Sequence, residues 1–452
     1  MNDALSKPVE HVVALRPWVL LAALAVALLW FGTLDARHLL RSDEGRYAEI
    51  AREMWASGDW VTPRYNELKY FEKPPFHLWM TALAYQAFGI GEWQARLWVA
   101  LSGAAGLLLT MLAAWRWWGL RVAGLTGLVL LAAPTWNIAS HFNSLDMSVS
   151  GALAAVLACT LLAQHPQIDA AARRRWMLLA WGAMGIAVLT KGLIGIVLPG
   201  LVLVVYTLWA RDWRIWHRLH LAAGTLLLLI VTVPWFWLVS RRNPEFLHFF
   251  FVHEHFERYT SGVHRRAAPL WYFVPQLLGG MLPWLGLWPA MARQATQRST
   301  DPVLQPAVLL AAWALAIFVF FSASGSKLPG YILPVLPALA ILAALALDRL
   351  SARAWSRYLL GALIVAVLLL VASLFVARLS PSDSADSVYR AYAPWLTVAM
   401  ASIVVGVLIA RWLQRRGRQQ ASLWAYGLAM FIGTTIGLLG HCLLYTSPSP
   451  RD

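Results

Sequence analysis

From Pro17 onward the sequence keeps returning to apolar stretches of about 20 residues, the length a helix needs to cross a hydrocarbon core about 30 Å thick. They fall near 17–34, 78–114 (one helix plus an approach segment), 122–138, 147–164, 177–190, 193–210 and 219–239. Others lie near 270–290, 305–322, 330–347, 358–377, 393–411 and 424–444. The expected fold is therefore an all-α polytopic membrane protein with about thirteen transmembrane helices. Composition agrees, since 60% of the residues are hydrophobic and 13% charged, where a soluble domain carries roughly 25% charged residues. Tryptophan occurs 26 times, which suits rings at membrane interfaces. No internal repeat or linker divides residues 1–442, so they read as one membrane domain.

The loops sort into two kinds. One kind is short and rich in arginine: Arg116 and Arg121; Arg173, Arg174 and Arg175; Arg211, Arg214 and Arg218; Arg293 and Arg298. It continues with Arg349, Arg353 and Arg357, then Arg411, Arg415, Arg416 and Arg418. The positive-inside rule assigns these loops to the cytoplasm. Alternation then puts 35–77, 139–146, 241–268, 323–331 and 378–392 outside. The net charge of +15 would point to nucleic acid in a soluble protein; placed this way it reports topology and contact with phosphate-bearing lipids, not nucleic acid. The two cysteines, Cys159 and Cys442, lie far apart in apolar runs and give no disulfide framework. The first apolar run reads as an uncleaved first span. Residues 443–452 (LYTSPSPRD from Leu444) change character abruptly and read as a non-native or truncated tail.

Chemistry concentrates in the external loops. In the first, Ser42 can cap a helix whose first turn holds Asp43 and Glu44. Ala48, Ile50, Ala51, Met54 and Trp55 follow at roughly helical spacing, so an amphipathic helix lies along the membrane surface. Gly58 ends it and Pro63 prevents its continuation. Asp43, Arg46 and Glu49 on this helix fit a solvated face, but Asp43 lies directly beyond the first span, where charged groups are often functional. Next comes Tyr70-Phe71-Glu72-Lys73-Pro74-Pro75. Its prolines hold Glu72 and Lys73 in an extended segment, either as a helix-entry turn or as a metal or sugar ligand beside a phosphate ligand. Asp146 begins another span, and a simple N-cap is one account of it. The loop PEFLHFFFVHEHFERYTSGVHRR contains His248, His253, His255, Glu254, Glu257 and Arg258. His253 and His255, two residues apart, cannot share a helical face, but one histidine with a distant acid such as Glu72 would make an open divalent site. Ser326-Lys327-Leu328-Pro329-Gly330-Tyr331 precedes an external-side span; punctuation explains its Gly and Pro but not Lys327 and Tyr331 at one depth. Carboxylates, cations and a metal site on one face, beside lipid, are the inventory for moving a group off a lipid phosphate. A transporter would instead carry ionisable residues near midplane, and these spans hold almost none.

The segments DEGRYAEIAREMWASGDWVTPRYNELKYFEKPP, the Asp146 loop, HEHFERY and SKLPGYILP resemble the lipid-linked sugar transferases of the aminoarabinose transferase and protein O-mannosyltransferase group. The aminoarabinose branch is the nearer match, and the resemblance runs to about residue 440. It implies a C-type glycosyltransferase fold and a polyprenyl-phosphate (undecaprenyl-phosphate) sugar donor. The transfer implied is inverting, with 4-amino-4-deoxy-L-arabinose moving to lipid A phosphate, or a sugar moving to Ser/Thr or another envelope acceptor. By motif position Asp43 and Asp146 match the required acids. Arg46 and Tyr47 stand beside Asp43, while Lys73, Arg258 and Tyr331 match the groups that hold the donor phosphate. Glu72 and His253 match ligands of a divalent metal, zinc or magnesium or manganese. The group also implies a soluble external domain after the last span, which the sequence to Asp452 does not contain.

Overall fold

The computed structural model describes residues 17–40, 43–250, 268–298, 304–378 and 386–440. Nearly all of them are helical. In order these are α1 (Pro17–Gly32), α2 (Asp43–Ser57), α3 (Phe76–Phe88), α4 (Glu92–Leu131), α5 (Pro134–Ala139), α6 (Leu145–Ala163), α7 (Ala170–Lys191) and α8 (Ile194–Ala210). There follow α9 (Ile215–Arg218), α10 (Leu221–Arg242), α11 (Phe273–Gly280), α12 (Trp288–Ala295), α13 (Pro306–Ala323), α14 (Leu336–Asp348), α15 (Ala352–Ser373), α16 (Asp386–Arg415) and α17 (Gln419–Gly440).

Among the described residues eight helices, not thirteen, are long and apolar enough to cross a membrane. The shortfall has local causes. Helix α4 counts once, although Gly119 (φ +85°) breaks it at a dihedral that glycine adopts without a Cβ penalty; its two halves correspond to the expected 78–114 and 122–138. α1 and α8 are 16 and 17 residues long. α7 carries Arg173, Arg174 and Arg175 in its opening turns. The stretch expected as a span at 270–290 is broken: Pro283 and Pro289 punctuate a 3₁₀ segment, Leu282–Leu287, between the short helices α11 and α12, because proline removes donors the helix needs.

Burial is uneven. The α6 window is 83% buried and the Pro329–Asp348 window 89%, against 17% for α15. The sequence of α14, LPALAILAALALD, alternates Leu with Ala, so neighbouring helices approach closely without voids. These two most enclosed spans begin beside Asp146 and Tyr331, so both residues emerge from the most rigid part of the bundle.

The amphipathic helix is present where expected. α2 starts at Asp43, ends at Ser57 and is followed by Gly58 at φ +69°. Its buried stripe is Glu44, Tyr47, Ala48, Ile50, Ala51 and Met54, packed with Leu78, Ala82 and Tyr85 of α3 and Ala95 of α4. Trp55, expected on that stripe, is 40% exposed. Beyond α2 a two-residue-strand hairpin pairs Arg64 with Lys69 and Tyr65 with Leu68. Its turn residues Asn66 and Glu67 both have positive φ, and the Glu53 carboxylate accepts both their N–H groups, at 2.6 and 3.1 Å. This hairpin delivers the chain to Tyr70 and Glu72.

Candidate active site

The site rests on a buried ion network. Glu44 is fully buried. Its Oε1 accepts from Arg37 Nη2 at 2.8 Å, Arg96 Nε at 2.9 Å and the Asn143 amide at 2.9 Å. Its Oε2 accepts from Arg37 Nη1, from Arg96 Nη2 at 3.1 Å and from the Leu40 amide at 3.1 Å. Arg96, also fully buried, donates in addition to the carbonyls of Leu34 and Arg37, each at 2.8 Å, and of His38 at 3.0 Å. One carboxylate thus ties the end of α1, the start of α2, α4 and the loop before α6. Burial alone would raise the Glu44 pKa, but Arg96 and Arg37 outweigh it and the carboxyl titrates below its usual value. The sequence reading took Glu44 as a companion of the helix dipole. Its spacing carried a stronger signal, for 44, 47, 48, 51 and 54 form one helical stripe, and an acid inside such a stripe needs buried cations.

A second group gathers on the outer side of this network. Arg46 Nη2 donates to Asp43 Oδ1, and the guanidinium lies 5.3 Å from the Tyr47 ring centroid. The Tyr70 hydroxyl reaches Glu72 Oε2 at 3.4 Å. Burial would lower the Arg46 pKa, but the surrounding Tyr47, Tyr70, Asp43 and Glu72 raise it further than burial lowers it. Burial likewise raises the Tyr47 phenol, so it stays protonated. Arg46 Nε is buried with no hydrogen-bond partner among the described residues. Lys73 Nζ donates to the Glu72 carbonyl at 2.7 Å.

Asp146 does not act as an N-cap. That position belongs to Ser144, which makes no side-chain cap, and Asp146 stands in the first turn of α6 with Lys191 Nζ donating to its Oδ1. Lys191 is the last residue of α7, closed by Gly192 at φ +81°. Its Nζ lies 4.3 Å from the Tyr331 ring centroid, within cation–π reach. A side chain at Gly330 would collide with the Asp146 carboxylate, so that glycine lets the Pro329–Val335 segment close against α6. Sequence reading missed Lys191. Its signal was a lone cation at the external end of an otherwise uncharged span, and its partner lies 45 residues away.

The structure therefore brings together Asp43, Arg46, Tyr47, Tyr70, Glu72, Asp146 and Tyr331, and adds Lys191. It separates Lys327, whose buried ammonium donates to the Ala268 carbonyl at 3.0 Å and to the Ser324 carbonyl, a structural tie. Glu49 pairs with Arg52 on a solvated face. His253 and Arg258 lie outside the described residues, as does the 443–452 tail. Among the described residues no group of three or more His, Cys, Asp or Glu is placed to hold a metal. Of the two expected metal ligands only Glu72 is described, and Arg46 raises the local positive charge beside it, so these residues alone do not make up a metal site.

A donor left without an acceptor beside three carboxylates and several cations suits an anionic ligand whose charge changes during reaction. The comparisons with known proteins concern the chain as a whole. The family model described as dolichyl-phosphate-mannose-protein mannosyltransferase matches residues 18–250, just over half of the chain. An undecaprenyl phosphate-α-4-amino-4-deoxy-L-arabinose arabinosyl transferase of Enterobacter sp. (strain 638) is 31% identical over 435 residues, covering 92% of this chain and 76% of that protein. The enzyme so named from Aeromonas salmonicida is 36% identical, covering 82% and 67%. The crystal structure of ArnT from Cupriavidus metallidurans bound to undecaprenyl phosphate superposes with a TM-score of 0.90 at 56% identity, covering 94% of this chain and 77% of that one. This chain belongs to the lipid-linked sugar transferases of the aminoarabinose transferase and protein O-mannosyltransferase group, with the C-type glycosyltransferase fold.

Proposed function

We propose that the Asp43–Asp146 cluster transfers a sugar from a polyprenyl phosphate, with inversion, to an acceptor on the periplasmic face of the bacterial inner membrane. The reading favoured is 4-amino-4-deoxy-L-arabinose moving from undecaprenyl phosphate to a lipid A phosphate. The observation that carries it is the unpartnered, buried Nε of Arg46: leaving such a donor unsatisfied costs about 1–3 kcal/mol, and a phosphate oxygen relieves it.

As the sugar carbon–oxygen bond breaks, negative charge grows on the leaving phosphate and positive charge on the sugar. Arg46, Lys191 and Lys73, with Arg258, meet the first; preorganised donors of this kind supply several kcal/mol. Asp43 and Asp146 face the second. A lipid A phosphate, with a second pKa of about 6, is already anionic at pH 7 and needs no base. Asp43 then orients the sugar or stabilises its developing positive charge. A divalent ion held by Glu72 and His253 would supply further charge to the phosphate; no step above depends on it. Were the acceptor a Ser or Thr hydroxyl, as the mannosyltransferase name of the family implies for its members, Asp43 would act as general base.

The test is to express the chain, with and without Asp43→Asn, in a Gram-negative host that makes the donor but lacks its own transferase, and to weigh its lipid A. The expected result is an added-sugar species that Asp43→Asn reduces roughly 10²- to 10⁴-fold. Absence of that species with the protein present in the membrane would exclude lipid A as acceptor for this chain.

A further inference from the structure

A cavity of about 760 Å³, lined by none of the cluster's own residues, lies between α15, α16, α17, α5 and the Leu282–Leu287 segment. Along α15 its lining runs from Arg357 to Leu369, and along α17 from Tyr426 to Leu438. Each run is about 18 Å at the helical rise, the scale of one lipid chain crossing rather more than half a hydrocarbon core of about 30 Å. The wall is left open by Gly361, where an added Cβ would meet nothing within 4 Å. A glycine inside a helix is disfavoured by about 1 kcal/mol, and no packing contact there explains it.

The two ends differ in charge. At the outer end the lining cation is Arg37, whose Nη atoms already donate to Glu44 and to the His141 carbonyl, and its neighbours Leu40 and Phe142 are apolar. At the inner end is Arg357, exposed and without an ion pair or hydrogen bond to any described residue. The cytoplasmic ends of the helices are in register there: Gln414 Nε2 donates to the Ala352 carbonyl at 3.1 Å and Gln419 Nε2 to that of Leu350 at 3.0 Å. On α16 the lining stripe Tyr392, Leu396, Met400 and Ile403 continues at helical spacing through Val407 to Arg411. Arg411 Nη1 is buried with no partner among the described residues. Arg353 stands one turn before Arg357 on the same face of α15. Among the described residues no acidic side chain lines the cavity.

We infer that this cavity holds the acyl chain of an anionic phospholipid of the cytoplasmic leaflet, with its headgroup phosphate between Arg357 and Arg411. A polyprenyl phosphate donor would need its phosphate at the outer end, where the one lining cation among the described residues, Arg37, already has both Nη atoms engaged by Glu44 and the His141 carbonyl. The site is thus a resident-lipid site, separate from the transfer reaction.

The experiment uses the purified full chain, exchanged into an equimolar mixture of phosphatidylglycerol and phosphatidylcholine with identical chains, and native mass spectrometry of the retained lipid. Wild type is expected to favour phosphatidylglycerol by about fivefold for each arginine engaged. Arg357→Gln is expected to cut that preference about fivefold, while Gly361→Phe, whose Cβ meets nothing within 4 Å and whose ring takes up cavity space, lowers retention of both lipids. Equal retention of the two lipids by wild type overturns the inference, as does retention unchanged in Gly361→Phe. It also fails if undecaprenyl phosphate displaces the phospholipid and Gly361→Phe abolishes undecaprenyl phosphate binding, for the cavity would then belong to the donor.

Discussion

Asp43 and Glu44 are adjacent acids on α2 in contrary surroundings. Glu44 is fully buried, with two arginines and two backbone amides filling both oxygens. Asp43 leaves 41% of its side chain exposed and has one bond from Arg46, three residues on. A helix turns about 100° per residue, enough to point one acid into the packing and the next towards the loops. The first holds four segments in place, and the second is left with unused acceptor capacity for a ligand. Saturation suits a structural acid, and incompleteness suits the chemical role proposed for Asp43.

Four measurements bear on that contrast. Glu44→Ala would strand Arg37 and Arg96 as uncompensated buried charges, a loss of about 3–5 kcal/mol. It should appear as a large fall in melting temperature, or in membrane yield, and a near-normal melt would mean the network is not a keystone. Lys191→Met removes the charge beside Asp146 and should lower transfer about 10- to 100-fold, in line with a hydrogen bond to a charged group of roughly 1.5–3 kcal/mol. Combined with Asp146→Asn it should be less than additive; full additivity would mean the pair does not act as a unit. A third check is acid. Since the folded Glu44 carboxyl titrates below 4.5, its stabilisation is present above that pH and is lost as pH falls through the lower folded value. Melting curves from pH 7 to 3 should show a steeper acid decline in wild type than in Glu44→Gln. Smallest is the effect of Asp43→Asn on stability, about 0–1 kcal/mol as for exposed ion pairs, against its large effect on transfer.

Much of this arrangement was legible in the sequence, for physical reasons that also explain what was not. α2 declared itself through its acidic first turn, its apolar spacing and Gly58. The order of apolar runs and arginine loops put Asp43, Glu72, Asp146 and Tyr331 on one side. Pairings across the chain were not legible. Nothing near Lys191 in sequence names Asp146 or the Tyr331 ring as its neighbours, because that meeting is set by how α6, α7 and the Pro329–Val335 segment pack. Glu44 was misread because a helix-dipole account was sufficient locally, whereas its burial is decided by Arg96, 52 residues away. The expected thirteen spans and the eight helices long and apolar enough among the described residues differ where proline and glycine interrupt runs, or where a run is short, as in α1 and α8.

The cluster draws its members from α2, the hairpin exit, α6, the end of α7 and the approach to α14; the Asp146–Lys191 pair joins α6 to α7, and Tyr331 joins it from the segment whose Gly330 lies against α6. During synthesis and insertion, therefore, the earlier helices can be in place while the site is still open. Tyr331 reaches Lys191 only through a segment that follows α7 by about 140 residues, so the proposed site is complete only once the Pro329–Val335 segment has packed against α6.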